Sequence, residues 1–271
     1  MRKPDFMIIG VQKAGTTALK IYLLQHPDIW MSKDEIHYFD TQPFRGDRWY
    51  LNHFQRMDKF VGEKTPGYIY HEHAVKHLAK LCPDTKLIVL LRNPVSRAYS
   101  EYKMLRLNGY YHESFEQVVF KDGEIFERPA VIRRGLYVEQ LKRLYKYFNK
   151  NQILVLKAED LHNNKQEVVN QVTDFIGASR FTLIDDADKH VGGEVRFEWL
   201  NYITGFFEHI RNQNKRKFLF VSYFCTKIIR WTKGINKIKG YRPMNEDTKK
   251  KLQEYFAEKN KELYDMVGIK W

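Results

Sequence analysis

The run Phe6-Met7-Ile8-Ile9-Gly10-Val11 is apolar without alternation, and it leads at once into Gln12-Lys13-Ala14-Gly15-Thr16-Thr17. A strand with one wet face alternates apolar and polar residues. An unbroken apolar run suits a strand covered on both faces, as in parallel sheets. Glycines then allow a tight turn, and a helical pattern starts at Thr16 and continues to about Gln25, with Ala18, Ile21, Tyr22 and Leu24 as candidate buried positions. A buried strand, a glycine turn and a helix in that order predict an α/β fold: a central parallel sheet flanked by helices.

The rest of the chain fits that plan. "KLIVLL" (86–91) is the strongest strand signal, and it runs into Arg92-Asn93-Pro94, where Asn93 caps a new helix and Pro94 suits its first turn. Further strands are expected at Ile29–Met31, Phe60–Gly62 and "ILVLK" (153–157). Helices are expected over "AVKHLAKLCP", "VEQLKRLYKYF", "EVVNQVTDFIG" with its stop at Gly177, and "NEDTKKKLQEYFAEKN" with a cap at Asn245 or Asp247. Residues 178–237 give weaker signals; we expect them to be helical, with "FLFVSYFC" (218–225) as a core helix, the alternative being that it also touches a membrane or a binding partner. No internal repeat or low-complexity linker interrupts the chain, so residues 1–271 are expected to form a single domain.

The first turn narrows the chemistry. The phosphate loop of nucleotide hydrolases reads G-x-x-x-x-G-K-[ST]. Gly10 and Gly15 keep that glycine spacing and Thr17 supplies the late hydroxyl, but Thr16 occupies the lysine position and the lysine sits earlier, at Lys13. Backbone N–H groups at such a turn and the following helix N-terminus still favour a phosphate. ATP hydrolysis also needs magnesium, usually held by an acid ending a neighbouring strand. Here that strand, "KLIVLL", ends in Arg92, which repels a cation and attracts a second phosphate. Two phosphate sites without an evident metal site indicate a nucleotide with separated anionic groups. The formal charge of +13 likewise favours an anionic partner. A nucleotide kinase is the alternative that these departures oppose.

Taken together, "IIGVQKAGTTAL", "HPDI", "DEIHYFD", "GEKTPGYIY" and "KLIVLLRNPVSRAYSEY" resemble the sulfotransferase family, most of all its heparan sulfate branch. The resemblance covers roughly residues 5–176, with a further match at "KGYRPMNEDTKKKLQEYF"; residues 178–237, where it is faint, would help shape the acceptor cleft. It implies transfer of a sulfuryl group from 3′-phosphoadenosine-5′-phosphosulfate (PAPS) to a hydroxyl, less readily an amine, of a carbohydrate or hydroxylated metabolite. The product would be adenosine 3′,5′-bisphosphate.

By that resemblance Lys13, Ala14, Gly15, Thr16 and Thr17 hold the donor's 5′-phosphate, and Lys13 stabilises the charge that builds on the bridging oxygen. Arg92 and Ser100 match the pair that binds the 3′-phosphate, joined by Lys239, Gly240, Tyr241 and Arg242. Tyr241 stands where the family commonly has arginine. Arg133 or Arg134 would border the donor. Lys64 matches a lysine near the donor sulfate and the acceptor, with Glu63 placed either to orient it or to form a surface pair. The acceptor hydroxyl needs a base. Glu35 and His37 are both candidates, on one side of an extended segment. The resemblance favours Glu35 as base, with His37 orienting Glu35 or the acceptor. A catalytically inactive relative that binds nucleotide or acidic glycan is a further alternative, opposed by the presence of Lys13, Glu35, Lys64, Arg92 and Ser100.

Cys82 and Cys225 lie far apart and outside any zinc spacing, which suggests reduced thiols and a cytoplasmic setting. The N-terminal apolar run is too short for a signal peptide, and no stretch approaches a membrane span. "HEHAVKH" (71–77) lacks the H-E-x-x-H spacing, because Val75 stands where the second histidine belongs, so no metal site is expected. The lysine-rich stretches have no accompanying nucleic-acid-binding motif, so no nucleic-acid partner is expected.

Overall fold

The computed structural model describes residues 1–184, 193–214, 219–239 and 243–271. In chain order the first elements are β1 (Phe6–Gly10), α1 (Thr16–Leu23), β2 (Ile29–Met31), α2 (Asp47–Leu51), β3 (Phe60–Lys64), α3 (Glu72–Leu81), β4 (Lys86–Leu91) and α4 (Pro94–Leu107). Then follow α5 (Phe115–Val119), β5 (Phe120–Lys121), β6 (Glu124–Ile125), α6 (Ala130–Arg133), α7 (Tyr137–Tyr145), β7 (Ile153–Lys157), α8 (Ala158–Asn163) and α9 (Lys165–Ile176). The remainder comprises β8 (Gly193–Val195), α10 (Glu198–Asn214), α11 (Leu219–Asn236), β9 (Lys237–Lys239), α12 (Glu246–Lys259) and α13 (Leu263–Val267).

The chain divides into two compact units, the first made of Met1–Arg97, Leu136–Lys189 and Phe256–Trp271. It holds the expected central sheet, five strands in the order β2-β3-β1-β4-β7. Every neighbouring pair is parallel. All of β1 is buried, and Leu87 to Leu91 of β4 are fully buried. Each such aliphatic side chain contributes about 1.5–3 kcal/mol by leaving water. That is why these runs carry no polar alternation.

Two expected boundaries move. The helix after the first turn ends at Leu23, and β3 extends to Lys64, which carries a functional candidate to the strand's carboxyl end. The buried face of α1 is Thr16, Leu19, Lys20, Tyr22 and Leu23, not the expected set; Leu24 is exposed. Lys20 can face inward because its ammonium donates to two carbonyls, Ser32 O at 2.6 Å and Lys33 O at 2.5 Å.

The second unit is Ala98–Gly135 with His190–Tyr255. A β5–β6 hairpin, not expected from the sequence, turns through Asp122 (φ 54°) and Gly123 (φ 84°). Asp-Gly is a favoured pair for a turn with two positive φ angles. Glu198–Asn214 and Leu219–Asn236 form the long helices α10 and α11, joined by a Thr204–Thr232 hydroxyl bond of 2.9 Å. The expected core helix in "FLFVSYFC" needs correction: Phe220, Tyr223 and Phe224 are exposed, and Cys225 is buried. At α12 the cap is Asn245, whose Oδ1 accepts from the N–H groups of Asp247 and Thr248.

Gly62 faces Phe6 across the β1–β3 register, and an added Cβ would lie 2.5 Å from the Phe6 ring. Gly62→Ala is therefore expected to lower unfolding free energy by about 1–3 kcal/mol in a denaturant titration. Because Phe6 is the obstructing group, Gly62→Ala with Phe6→Leu should lose less than the sum of the two single changes. Strict additivity would show that the clash is relieved elsewhere.

Candidate active site

Three chain turns meet at the carboxyl ends of adjacent strands β3, β1 and β4, the usual ligand-binding edge of an open α/β sheet. After β1, Lys13 (φ 72°) and Gly15 (φ 85°) both adopt left-handed backbone, so the turn curls tightly into α1. Gly15 is the N-cap of α1 and offers no side-chain cap; the first helical turn contains no acidic residue. Its N–H groups and helix-end charge therefore suit an anion. Ala14 and Thr16 are buried, and Thr17 points its hydroxyl toward β3.

After β4, Arg92 donates from Nη1 to the carbonyl of Lys13 at 2.9 Å, so the second cationic turn lies against the first. The Tyr137 hydroxyl donates to Arg92 O at 2.7 Å, and Asn93 N donates to Glu159 Oε1 at 3.0 Å. Asn93 Oδ1 accepts from Ser96 N, the expected helix cap. These bonds fix the direction in which Arg92 leaves the sheet.

Lys64 joins the phosphate-type turn to the candidate base. Its Nζ donates to Thr17 Oγ1 at 3.2 Å and to Glu35 Oε1 at 2.5 Å. The other Glu35 oxygen lies 3.3 Å from His37 Nε2, and His37 Nδ1 lies 2.9 Å from Asp40 Oδ2. Glu35, His37 and Asp40 thus form a chain ending at Lys64. Its two cationic groups hold the Glu35 carboxyl down at about 2: hydrogen bonds from His37 and Lys64 outweigh burial, which by itself acts upward and is the largest single influence. His37 is pushed up to about 9, first by its hydrogen bond to Asp40 and then by that to Glu35. At neutral pH the ring is an imidazolium that orients Glu35.

Asp40 and Lys20 belong to the site although neither was singled out from the sequence. Asp40 lies three residues after His37 in a turn whose Thr41 and Gln42 N–H groups bond back to His37 O. Only that turn, with His37 at φ 53°, brings the two side chains together. Lys20 ties α1 to the segment just before Glu35, and its ammonium is destabilised by burial and by nearby Lys64. A lysine on an apolar helical face was the available signal.

Glu63 requires a correction, since it neither orients Lys64 nor lies at the surface. Successive strand residues point to opposite faces. The fully buried Glu63 carboxylate accepts from Tyr50 at 2.6 Å, Thr65 at 2.9 Å and Tyr68 at 3.4 Å. Burial raises its pKa to about 7 against these donors. Tyr68 Oη in turn accepts from Tyr38 N, which anchors the residue after His37.

Beside Glu35 opens a cleft of about 430 Å³, lined by Trp30, Glu35, Gln42, Trp49 and His53 among others, all within residues 30–53. In the second unit, Ser100 lies on α4, and Lys239 lies in β9 opposite Gly193. Gly240, Tyr241 and Arg242 fall outside the described residues. Arg134 is ion-paired to the buried Glu101. Among the described residues no group of three or more His, Cys, Asp or Glu side chains is arranged to hold a metal ion.

The family model for the sulfotransferase domain matches residues 3–264, through both units. The chain belongs to the sulfotransferase family. It is 35% identical to heparan sulfate glucosamine 3-O-sulfotransferase 6 of Homo sapiens over 70% of this chain and 55% of that protein. It is 28% identical to the bifunctional heparan sulfate N-deacetylase/N-sulfotransferase 3 of Homo sapiens, over 98% of this chain and 30% of that one. The chain therefore spans little more than half the length of the first relative and less than a third of the second. The crystal structure of a sulfotransferase from Alicyclobacillus acidocaldarius superposes with a TM-score of 0.72 at 22% identity, covering 100% of this chain and 98% of that one. This supports the fold as a sulfotransferase fold.

The carboxylate chain makes a pH prediction. The raised His37 pKa contributes stability that is complete below its ordinary value of 6.5 and is lost as pH rises through about 9. The lowered Glu35 pKa contributes stability that is complete above 4.5 and is lost as pH falls through about 2. Imidazole NMR should find His37 protonated at neutral pH and titrating near 9. Asp40→Asn should move that titration down. A His37 titration at its ordinary value in the unchanged protein would contradict the hydrogen-bonded chain.

Proposed function

We propose that the chain is a PAPS-dependent sulfotransferase acting on a hydroxyl, or less readily an amine, of a carbohydrate or hydroxylated metabolite. The observation that carries this reading is Lys64, whose single ammonium contacts both Thr17 of the phosphate-type turn and the candidate base Glu35. Donor and acceptor chemistry therefore share one charged group.

The residues present fit the donor. The uncapped N-terminus of α1, Lys13 through Thr17 and the adjoining Arg92 offer one anion-binding turn beside another cation. Lys13, Ala14, Gly15, Thr16 and Thr17 would hold the 5′-phosphate. Arg92 would hold the 3′-phosphate, a role that the sequence resemblance also gives to Ser100, Lys239, Gly240, Tyr241 and Arg242. PAPS supplies a sulfuryl group on a phosphate leaving group. The protein's part is then positioning and charge. Lys13 and Lys64 stabilise negative charge, and Glu35 accepts the proton of the attacking hydroxyl.

Glu35 is a weak base while Lys64 holds it. Drawing Lys64 away from Glu35 returns basicity to the carboxylate, because loss of an opposite charge raises its pKa. His37, already carrying its proton, orients Glu35 and does not compete for the acceptor proton. The neighbouring cleft, with Trp30 and Trp49 on its walls, falls within the usual ~300–1,000 Å³ of small-ligand sites. Its size and its aromatic and polar lining support a carbohydrate acceptor. A cytoplasmic setting goes with this proposal, supported by Cys82 and Cys225, both buried free thiols.

Two measurements test the reading. Calorimetry should find adenosine 3′,5′-bisphosphate bound far more tightly than AMP, with the difference largely abolished by Arg92→Ala; charge-assisted bonds to phosphate contribute about 1.5–3 kcal/mol each. Equal affinity for the two nucleotides would remove the second phosphate site. With labelled PAPS and a panel of glycan acceptors, Glu35→Gln should cut turnover by ~10²–10⁴ while leaving bisphosphate affinity near the unchanged protein's. Nucleotide binding without sulfate transfer to any acceptor would favour the inactive binding module.

A further inference from the structure

The helix pair α10–α11 has its polarity turned outward. Its inward positions are largely polar: Asn201, Thr204, Glu208, Thr232 and Asn236 are at most 3% exposed. Its outward positions carry the large apolar groups. Trp199, Tyr202 and Phe206 on α10 are 59–61% exposed, and Phe220, Phe224 and Trp231 on α11 are 57–81% exposed. The spacing within each set places it on one helical face. Inside, the two helices are tied by the Thr204–Thr232 bond and by Glu208, which pairs with Lys233 across the helices and with Arg211 on its own. The two helices thus meet through polar groups, and the aromatic groups face solvent, with Tyr202 stacked on His112 at 3.9 Å. Large apolar groups gathered on the exposed face of each helix mark an interaction site.

We propose that this face docks the protein onto an anionic lipid bilayer, with both helices lying in the interfacial plane. The accompanying charge selects that partner. α11 contains no acidic residue, and its exposed Lys227 and Arg230 stand among the aromatics; Lys227 lies 4.8 Å from the Tyr223 ring centre. On α10, Glu208 is turned inward and neutralised by two cations. Tryptophan and tyrosine favour the headgroup boundary, where an apolar ring and a polar tip are both accommodated, while lysine and arginine meet anionic headgroups. Among the described residues no helix is long and apolar enough to cross a membrane, which suits helices that lie on the bilayer. The overall charge of +13 draws the protein to the same surface.

Vesicle sedimentation with the full chain tests this. One vesicle set is phosphatidylcholine alone; the other is equal parts phosphatidylcholine and phosphatidylglycerol. The unchanged protein should sediment with the second set, and its tryptophan emission should shift to the blue as Trp199 and Trp231 leave water. Lys227→Glu with Arg230→Glu should weaken that binding by ~10-fold or more. Phe224→Ser with Trp231→Ser should abolish both sedimentation and much of the emission shift. All four side chains are exposed, so an unchanged thermal midpoint is the control for folding. Failure of the unchanged protein to sediment overturns the proposal, as does full binding by the serine variant. Heparin binding lost in the glutamate variant, without vesicle binding, would identify an acidic glycan surface. A dimer dissociated by the serine variant, again without vesicle binding, would identify a contact between copies of the chain.

Discussion

The parallel register of β3, β1 and β4 is the constraint on which the site depends. Ile8 of β1 lies opposite Lys64 of β3, and Gly10 lies opposite Val89 of β4. Parallel strands end on the same side, so this pairing delivers Lys64, the Lys13–Thr17 turn and Arg92 to one edge. None of these residues needs a long loop to reach the others. The close strand packing also restricts residue choice: Gly62 leaves room for the Phe6 ring, and a Cβ on Gly10 would lie 2.5 Å from Ile69. Site geometry and core packing are therefore two consequences of the same backbone arrangement.

Local signals made the sheet legible. Phe6–Gly10 and Lys86–Leu91 are apolar because both faces are covered, and the Gly15 turn and Asn93 cap are read from residue type alone. The phosphate-type turn was legible for the same reason, since it is a strand, a turn and a helix contiguous in sequence. Partnerships closed by tertiary structure were not. Glu63 follows the same strand as Lys64 but faces the Tyr50–Tyr68 interior, and Asp40 reaches His37 through a turn with no periodic signature. Lys20 was hidden by its helical setting, where an inward lysine makes sense only once the carbonyls of Ser32 and Lys33 are in place.

The helices after residue 193 show a different limit. "FLFVSYFC" has the composition of a core helix, and hydrophobicity alone assigns such a segment to an interior. Burial is decided by the neighbours a segment finds. α10 and α11 find each other through the Thr204–Thr232 bond and the Glu208–Lys233 ion pair, leaving their rings outside. An amphipathic helix announces that it has an apolar face but not what covers that face. The outward aromatics consequently carry information about partners that the periodicity, correctly read, could not supply.

Electrostatics ties the site's parts into one unit. Lys64 is nearly buried, with 7% of its side chain exposed, and an ammonium so placed needs an acceptor. Glu35 is that acceptor, and its second oxygen is held by an imidazolium that Asp40 in turn stabilises. Each charge is tolerated because the next one compensates it, so the segment 35–40 is fixed relative to β3 and α1 by its own chemistry. The same compensation holds Glu35, the proposed base, at low basicity. Any event that redirects Lys64 toward an anion beside Thr17 weakens the hold on Glu35 at the moment a base is needed. A lysine shared between the phosphate-type turn and the proposed base would thereby couple occupancy of one side to proton affinity on the other.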